Sequence, residues 1–373
     1  MKVNLDVRKG KTVGVFYLFF LIHTVQTGAG IMGVPAVVYR EAKQSAWISV
    51  LIAGIAMHIV VAIMIVILKQ YENADIFGIQ QDLFGKWVGK FLGILYIGYL
   101  MLLFLSVLLN YTEIVRVYIF PKMSTFAISF ILISLCVYAV LGGLRVATGV
   151  SFIFFFATVW LIFMVYRPAT LIHWEHYMPL FESGLSELWL GAIQTGFTVL
   201  GFEFLFFLYP YIDNKKWVWL SSQLAVAFTT FLIFIVTFVS IGYFSGDQLE
   251  TMIWATLAMF KIIKFSVLER FDFVAVGLWL MVILPNLILI LWAMTSGGKR
   301  LFQFKQKKSV YAFAIIAYIV VNLFEYRMDI NMLTDWTAKI GSVIAFIYPV
   351  ILLPIVLIKK RVQRRKASKG GSP

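Results

Sequence analysis

Val25-Gln26-Thr27-Gly28-Ala29-Gly30-Ile31 lies in the middle of the first long apolar run of the chain. Apolar residues flank it on both sides, from Val13 to Leu21 and from Ile31 to Val38. A membrane helix has no need of two glycines and two polar residues at its centre, since glycine costs about 1 kcal/mol relative to alanine in a helix interior. Non-helical backbone at membrane depth persists only where it is buried in protein or lines a cavity. The stretch therefore predicts a break in the first transmembrane helix, with free N–H and carbonyl groups forming a binding site. The alternative is a continuous helix whose small residues let a neighbour pack close.

Of the 373 residues, 61% are hydrophobic, 17% aromatic and only 13% charged. A soluble domain carries about 25% charged and about 45–50% apolar residues, so the chain is expected to be an all-α polytopic membrane protein. Met1 to Lys11 is a short basic leader, and no A-x-A cleavage pattern follows it. Cys136 is the only cysteine and sits in an apolar run, which excludes an intrachain disulfide and a thiolate metal site. A net charge of +14 in a soluble protein would suggest nucleic acid. Here the basic residues flank apolar runs, so the positive-inside rule accounts for them and no nucleic-acid partner is expected.

A helix needs about 20 apolar residues to cross a bilayer. Ten such runs lie near 13–38, 45–68, 88–111, 123–142, 147–166, 188–210, 217–244, 271–295, 309–325 and 338–358. The mixed segment 247–266 reads as lying at an interface rather than spanning. Ten spans put both ends on one side, and most of the 32 Lys and Arg fall on that side. The acids there are only Asp6, Glu72, Asp75, Asp82 and Asp213. Both termini are thus expected to be cytoplasmic. The layout is a short cytoplasmic segment 1–12, a single ten-helix domain 13–358, and a basic tail 359–373. The tail suits solvent or lipid headgroups, and its end, Gly370-Gly371-Ser372-Pro373, reads as disordered.

The sixth run repeats the feature of the first. Gly191-Ala192-Ile193-Gln194-Thr195-Gly196-Phe197-Thr198-Val199-Leu200-Gly201-Phe202-Glu203 again puts glycines and polar residues at mid-run. The two runs are five spans apart and cross in opposite directions. That is the arrangement of two inverted five-helix repeats, about 13–166 and 188–358, with substrate held at the paired breaks.

The second half of a broken helix presents N–H groups backed by the positive end of its dipole. In the first helix that half begins near Gly30, where an amino acid carboxylate would sit, with Thr27 adding a hydroxyl. Carbonyls ending the first half of helix six would suit an ammonium group, with Phe197, Leu200 and Phe202 as an apolar wall. Glu203 is the only acid well inside a span and is a functional candidate by default; it also reads as a glutamic acid hydrogen-bonded to the break. His23 and His58 read as packed or hydrogen-bonded rather than as proton relays. Tyr96, Tyr99 and Leu103 share one face of helix three, and Glu113 with Arg116 reads as an ion pair at its outer end. Pro285-Asn286 interrupts helix eight and supplies a third pocket element. No HExxH, P-loop or GxSxG motif is present, so no enzyme, cofactor or metal is expected, and any transport would draw on a gradient.

Thr27-Gly28-Ala29-Gly30-Ile31 resembles the G-S-G-I break of amino acid–polyamine–organocation transporters, and Leu200-Gly201-Phe202-Glu203 their G-F-D/E stretch. More specifically, the chain resembles the integral-membrane B subunit of spore germinant receptors. The residues that carry this are Gly30-Ile31-Met32-Gly33-Val34-Pro35, Pro179-Leu180-Phe181-Glu182-Ser183-Gly184 and Leu268-Glu269-Arg270-Phe271-Asp272. The ordered set is specific; no single motif is. The resemblance implies a LeuT-like fold with helices 1 and 6 broken, with Tyr99, Leu200 and the Pro285-Asn286 region where that family's pocket would be; together with the residue reading, the candidate site is Thr27, Gly28, Ala29, Gly30, Ile31, Tyr99, Leu103, Phe197, Leu200, Gly201, Phe202, Glu203, Pro285 and Asn286. It implies a role in spore germination: binding a small germinant, often an amino acid, in the spore inner membrane beside an A subunit and a lipoprotein C subunit. The chain departs from sodium-coupled relatives in having no Ser or Thr from Ala275 to Trp292. It departs from some proton-coupled ones in having no lysine from Val146 to Tyr166. A sensor is therefore the leading expectation, an ion-coupled amino acid transporter the second, and a structural component with a vestigial pocket the third.

Overall fold

The computed structural model describes residues 3–179, 182–264, 270–324 and 326–369. Leu180, Phe181, Leu268 and Glu269 of the resemblance stretches, the end of segment 247–266 and the terminal Gly370 to Pro373 lie outside the described residues. The first passage consists of α1 (Val15–Gln26) and α2 (Gly30–Ala42), parted by residues 27–29. Then follow α3 (Ala46–Leu68), α4 (Ile76–Tyr118), α5 (Thr125–Leu141) and α6 (Leu144–Thr158), the last continued by a 3-10 stretch into α7 (Tyr166–Ala169). The sixth passage is α8 (Leu185–Thr198) and, after its break, Phe202–Phe204, α9 (Leu205–Leu208) and Tyr209–Tyr211. The chain continues as α10 (Val218–Tyr243), the short α11 (Gly246–Thr251) and α12 (Ala255–Phe260), α13 (Phe271–Phe302), α14 (Gln306–Val321), α15 (Arg327–Ser342) and α16 (Tyr348–Lys369).

Among the described residues, six helices are long and apolar enough to cross a membrane, and the sixth passage, bent by 51° at its break, makes a seventh. One of the six, Gly30–Leu68, holds the second half of passage one and all of passage two. Lys43, at φ 46°, ends α2, and α3 runs back until Met57 Sδ lies 3.5 Å from Gln26 Nε2 at the first break. With α1, α5 and α14 the ten apolar passages are complete. Residues such as Ile55, Phe130 and Ile153 are exposed, as expected of helices that face lipid on one side and protein on the other.

The two broken passages are inverted copies laid against each other. Gly30, which starts α2, meets Thr198 at the end of α8. Ala42 at the far end of α2 meets Gly191 and accepts a hydrogen bond from Ser183 Oγ at 2.8 Å. On the opposite side, the Val13 amide donates to the Tyr211 carbonyl at 2.8 Å, joining the start of passage one to the end of passage six. α13 packs along α4 and forms the centre of the bundle with them.

Three boundaries differ from the sequence reading. Helix three starts at Ile76 rather than near 88, because Asp75 caps it and Gly85, at φ 79°, turns the chain before the apolar run begins. Helix ten starts at Arg327 rather than near 338: its first turns are polar, as a wall facing a wet cavity requires. The tail continues α16 as helix to Lys369. Segment 247–264 does not span; α11 and α12 pack on α2. Glu113 and Arg116 do not pair with each other. Glu113 pairs with Arg327, while Arg116 Nη1 donates to Thr125 Oγ1 at 3.0 Å, because α15 brings a guanidinium closer to Glu113 than its own helix does.

Candidate functional site

The two breaks touch backbone to backbone. Gly201 has φ 135°, a left-handed conformation open to glycine, and a Cβ there would lie 2.5 Å from the Val25 carbonyl carbon. At Gly30 a Cβ would meet Thr198 Cγ2 at 2.7 Å. The glycines thus permit a crossing that side chains would force apart.

Polar side chains hold each break open. Asn286, on α13 and almost fully buried, donates through Nδ2 to the Thr24 carbonyl at 3.1 Å and the Val25 carbonyl at 3.0 Å. Those carbonyls end α1 and have lost their helical partners. Its Oδ1 has no partner among the described residues. Thr27 turns its hydroxyl back to the His23 carbonyl at 2.9 Å. Gln26 Nε2 reaches the Val199 carbonyl at 3.5 Å, linking one break to the other. At the second break, Glu203 Oε2 accepts from the Gly201 amide and Oε1 from the Tyr99 hydroxyl, each at 2.7 Å. His23 Nδ1 lies 2.9 Å from Thr229 Oγ1, and His58 Nδ1 bonds Gln223.

Above the breaks lies a cavity of about 570 Å³, within the range of small-molecule sites. Its base is Gly28, Ala29 and Gly30, where no side chain caps the start of α2. Helix α8 contributes Gln194, Phe197 and Thr198, followed by Leu200. α4 contributes Leu103, Ser106 and Asn110, and α13 contributes Asn286. α15 supplies Asn331, Thr334, Asp335 and Ala338. The rim carries Arg40 and Trp254. Arg40 donates to the carbonyls of Glu250 at 2.9 Å and Met252 at 2.7 Å, tying the α11–α12 segment to α2.

The fourteen sequence candidates separate into three groups. Gly28, Ala29, Gly30, Leu103, Phe197, Leu200 and Asn286 line this cavity. Thr27, Ile31 and Pro285 face a smaller one of about 90 Å³ behind the first break, beside His23. Tyr99, Gly201, Phe202 and Glu203 line neither; Phe202 packs edge-on against Phe346, at 5.0 Å between ring centroids. Sequence reasoning missed Ser106, Asn110 and the α15 residues. Leu103, Ser106 and Asn110 repeat at helical spacing, a signal within reach. Asn331, Thr334, Asp335 and Ala338 also share one face, but in a stretch too polar to read as a span. Among the described residues no group of three or more His, Cys, Asp or Glu is arranged to hold a metal ion.

The family model described as spore germination protein matches residues 12–330. The chain is similar to spore germination protein GerQB of Bacillus cereus, at 33% identity over 94% of this chain and 98% of that one. It is similar to spore germination protein A2 of Bacillus subtilis at 20% identity, covering 92% and 94%. Among solved structures it is similar to a Na+-coupled sialic acid symporter in a substrate-bound outward-open state. The TM-score is 0.63 and the identity 12%, over 94% of this chain and 79% of that one. That likeness concerns the fold: inverted repeats with helices one and six broken.

Proposed function

The chain belongs to the spore germination protein family, and from that premise we propose that it is the nutrient-sensing membrane subunit of a spore germinant receptor. In this reading it sits in the spore inner membrane with both ends cytoplasmic, beside an A subunit and a lipoprotein C subunit. The ligand is a small germinant, an amino acid. The observation that carries this is the uncapped start of α2 at the base of a 570 Å³ cavity. Its N–H groups and the helix dipole favour a carboxylate. The unpartnered Asn286 Oδ1 and the carbonyls ending α8 then take the ammonium group, while Leu103, Phe197 and Leu200 meet the side chain. Ligand binding shifts the bundle only by as much as it prefers one conformation, and the partner subunits read that shift.

The second reading, an ion-coupled amino acid transporter, draws on the transporter fold. Purified protein in liposomes separates the two, with labelled amino acids tested for binding and for time-dependent uptake. Saturable binding without accumulation, lost in Gly28→Leu, is the expected result. Accumulation that collapses with an ion gradient would make the chain a transporter.

A further inference from the structure

A second cavity, of about 350 Å³, lies where the outer end of α4 meets α5 and the start of α15. Thr112, Glu113, Arg116, Thr125 and Arg327 line it. Glu113 pairs with Arg327, whose guanidinium also sits 5.4 Å from the Trp254 ring. Arg116 uses one Nη on Thr125. That leaves Arg116 Nε, Arg327 Nε and Thr112 Oγ1 buried and without partners among the described residues. Unpaired buried polar atoms are costly and ask for a ligand. Guanidinium nitrogens only donate and stay charged. Among the described residues, two guanidiniums against one carboxylate leave one positive charge uncompensated within the cluster.

We propose that this cavity is an accessory site for a small carboxylate anion, held between Arg116 and Arg327 with the Thr112 hydroxyl as third donor. Planar carboxylates match the guanidinium fork, and the space admits a molecule of several heavy atoms. The site is separate from the break cavity and does not depend on what that cavity binds. Arg327 borders both, so an occupant here bears on the outer wall of the nutrient cavity through α15.

The test is calorimetric titration of the full chain, in phosphatidylcholine nanodiscs, with sodium acetate, and with sodium chloride in parallel. Saturable acetate binding is expected in the millimolar range, about 1–10 mM. Arg116→Gln should weaken it about tenfold or more, as loss of a charged hydrogen bond implies, while Gly28→Leu should leave it in place. If Arg116→Gln does not fold, Thr112→Val carries the test, with a weakening of about threefold or more. Three results overturn the proposal: no saturable acetate binding, a midpoint unmoved by the folded variant, or binding lost in Gly28→Leu alone, which would move the acetate to the nutrient cavity. Chloride binding with equal affinity would overturn the carboxylate assignment.

Discussion

Glu203 is fully buried, yet both of its oxygens are occupied, one by the Gly201 amide and one by the Tyr99 hydroxyl. It braces the bend of helix six rather than facing the cavity, and its charge matters less than its two acceptors. Glu203→Ala strands two buried donors, which costs roughly 2–4 kcal/mol. Glu203→Gln retains an acceptor for Gly201 and can donate to the tyrosine oxygen, leaving only the Tyr99 O–H without its acceptor, so it should lose roughly half as much, about 1–2 kcal/mol. Thermal unfolding of the purified variants decides the matter: an alanine variant as stable as the parent would end the brace account. The two glycines of the first break differ in the same concrete way. A Cβ at Gly28 has only Asn286 Nδ2 at 3.7 Å and Val107 at 3.9 Å nearby, whereas one at Gly30 collides with Thr198. Leucine at 28 therefore fills the cavity of a folded protein, while leucine at 30 pushes the breaks apart.

At the scale of elements, the end of the bundle where α3 finishes and α16 runs out is clamped by charge. Tyr71 donates to Asp82 Oδ2 at 2.9 Å, Lys359 Nζ lies 3.1 Å from Oδ1, and Lys360 sits over the Tyr71 ring at 3.9 Å. This joins the segments after α3 and before Gly85 to α16. Burial alone would push the Asp82 carboxyl up; the hydrogen bonds from Tyr71 and Lys359 and the charges of Lys360 and Lys359 outweigh it and hold the carboxyl below its usual value. A depressed carboxyl stabilises the folded state above its unfolded pKa of about 3.9 and loses that contribution as pH falls through the folded value. The Tm difference between the parent and Asp82→Asn should thus be constant above about pH 5 and shrink as pH falls below about 4 and through the folded value; a difference independent of pH would refute the clamp. The breaks were legible because glycine and polar residues are anomalous in lipid, and Asn286 was legible beside its proline. The reach of α15 was not. Asp329, Asn331 and Asp335 read as loop, since hydropathy cannot tell a polar helix that lines a wet cavity from one outside the membrane. Glu203 stayed open between two readings for a related reason: a lone buried acid flags a function and a brace alike.

At the scale of the molecule, the half of the bundle around the cavity is built of connected pieces. α2 holds the α11–α12 segment at both of its ends, through Arg40 in its last turn and at its start through Thr256, whose hydroxyl donates to the Ile31 carbonyl at 2.9 Å. Opposite stands α15, anchored by the Arg327–Glu113 pair. In the proposed function a ligand seated on the breaks would contact both pieces, so its binding energy could act on the gap between them, and the cavity should close to aqueous reagents when it is filled. The chain lends itself to that measurement because Cys136 is its only cysteine and is buried in α5. Ala338→Cys sets a single thiol on the α15 wall of the cavity. It should react with a membrane-impermeant methanethiosulfonate while the parent protein does not, and a bound nutrient should slow that reaction about tenfold or more if the occupied state dominates. Protection lost in Ala338→Cys combined with Gly28→Leu would tie the closure to the breaks. An Ala338→Cys thiol that reacts at one rate with and without nutrient, under conditions where binding is measured directly, would mean that the ligand sits elsewhere or that the two halves do not respond to it.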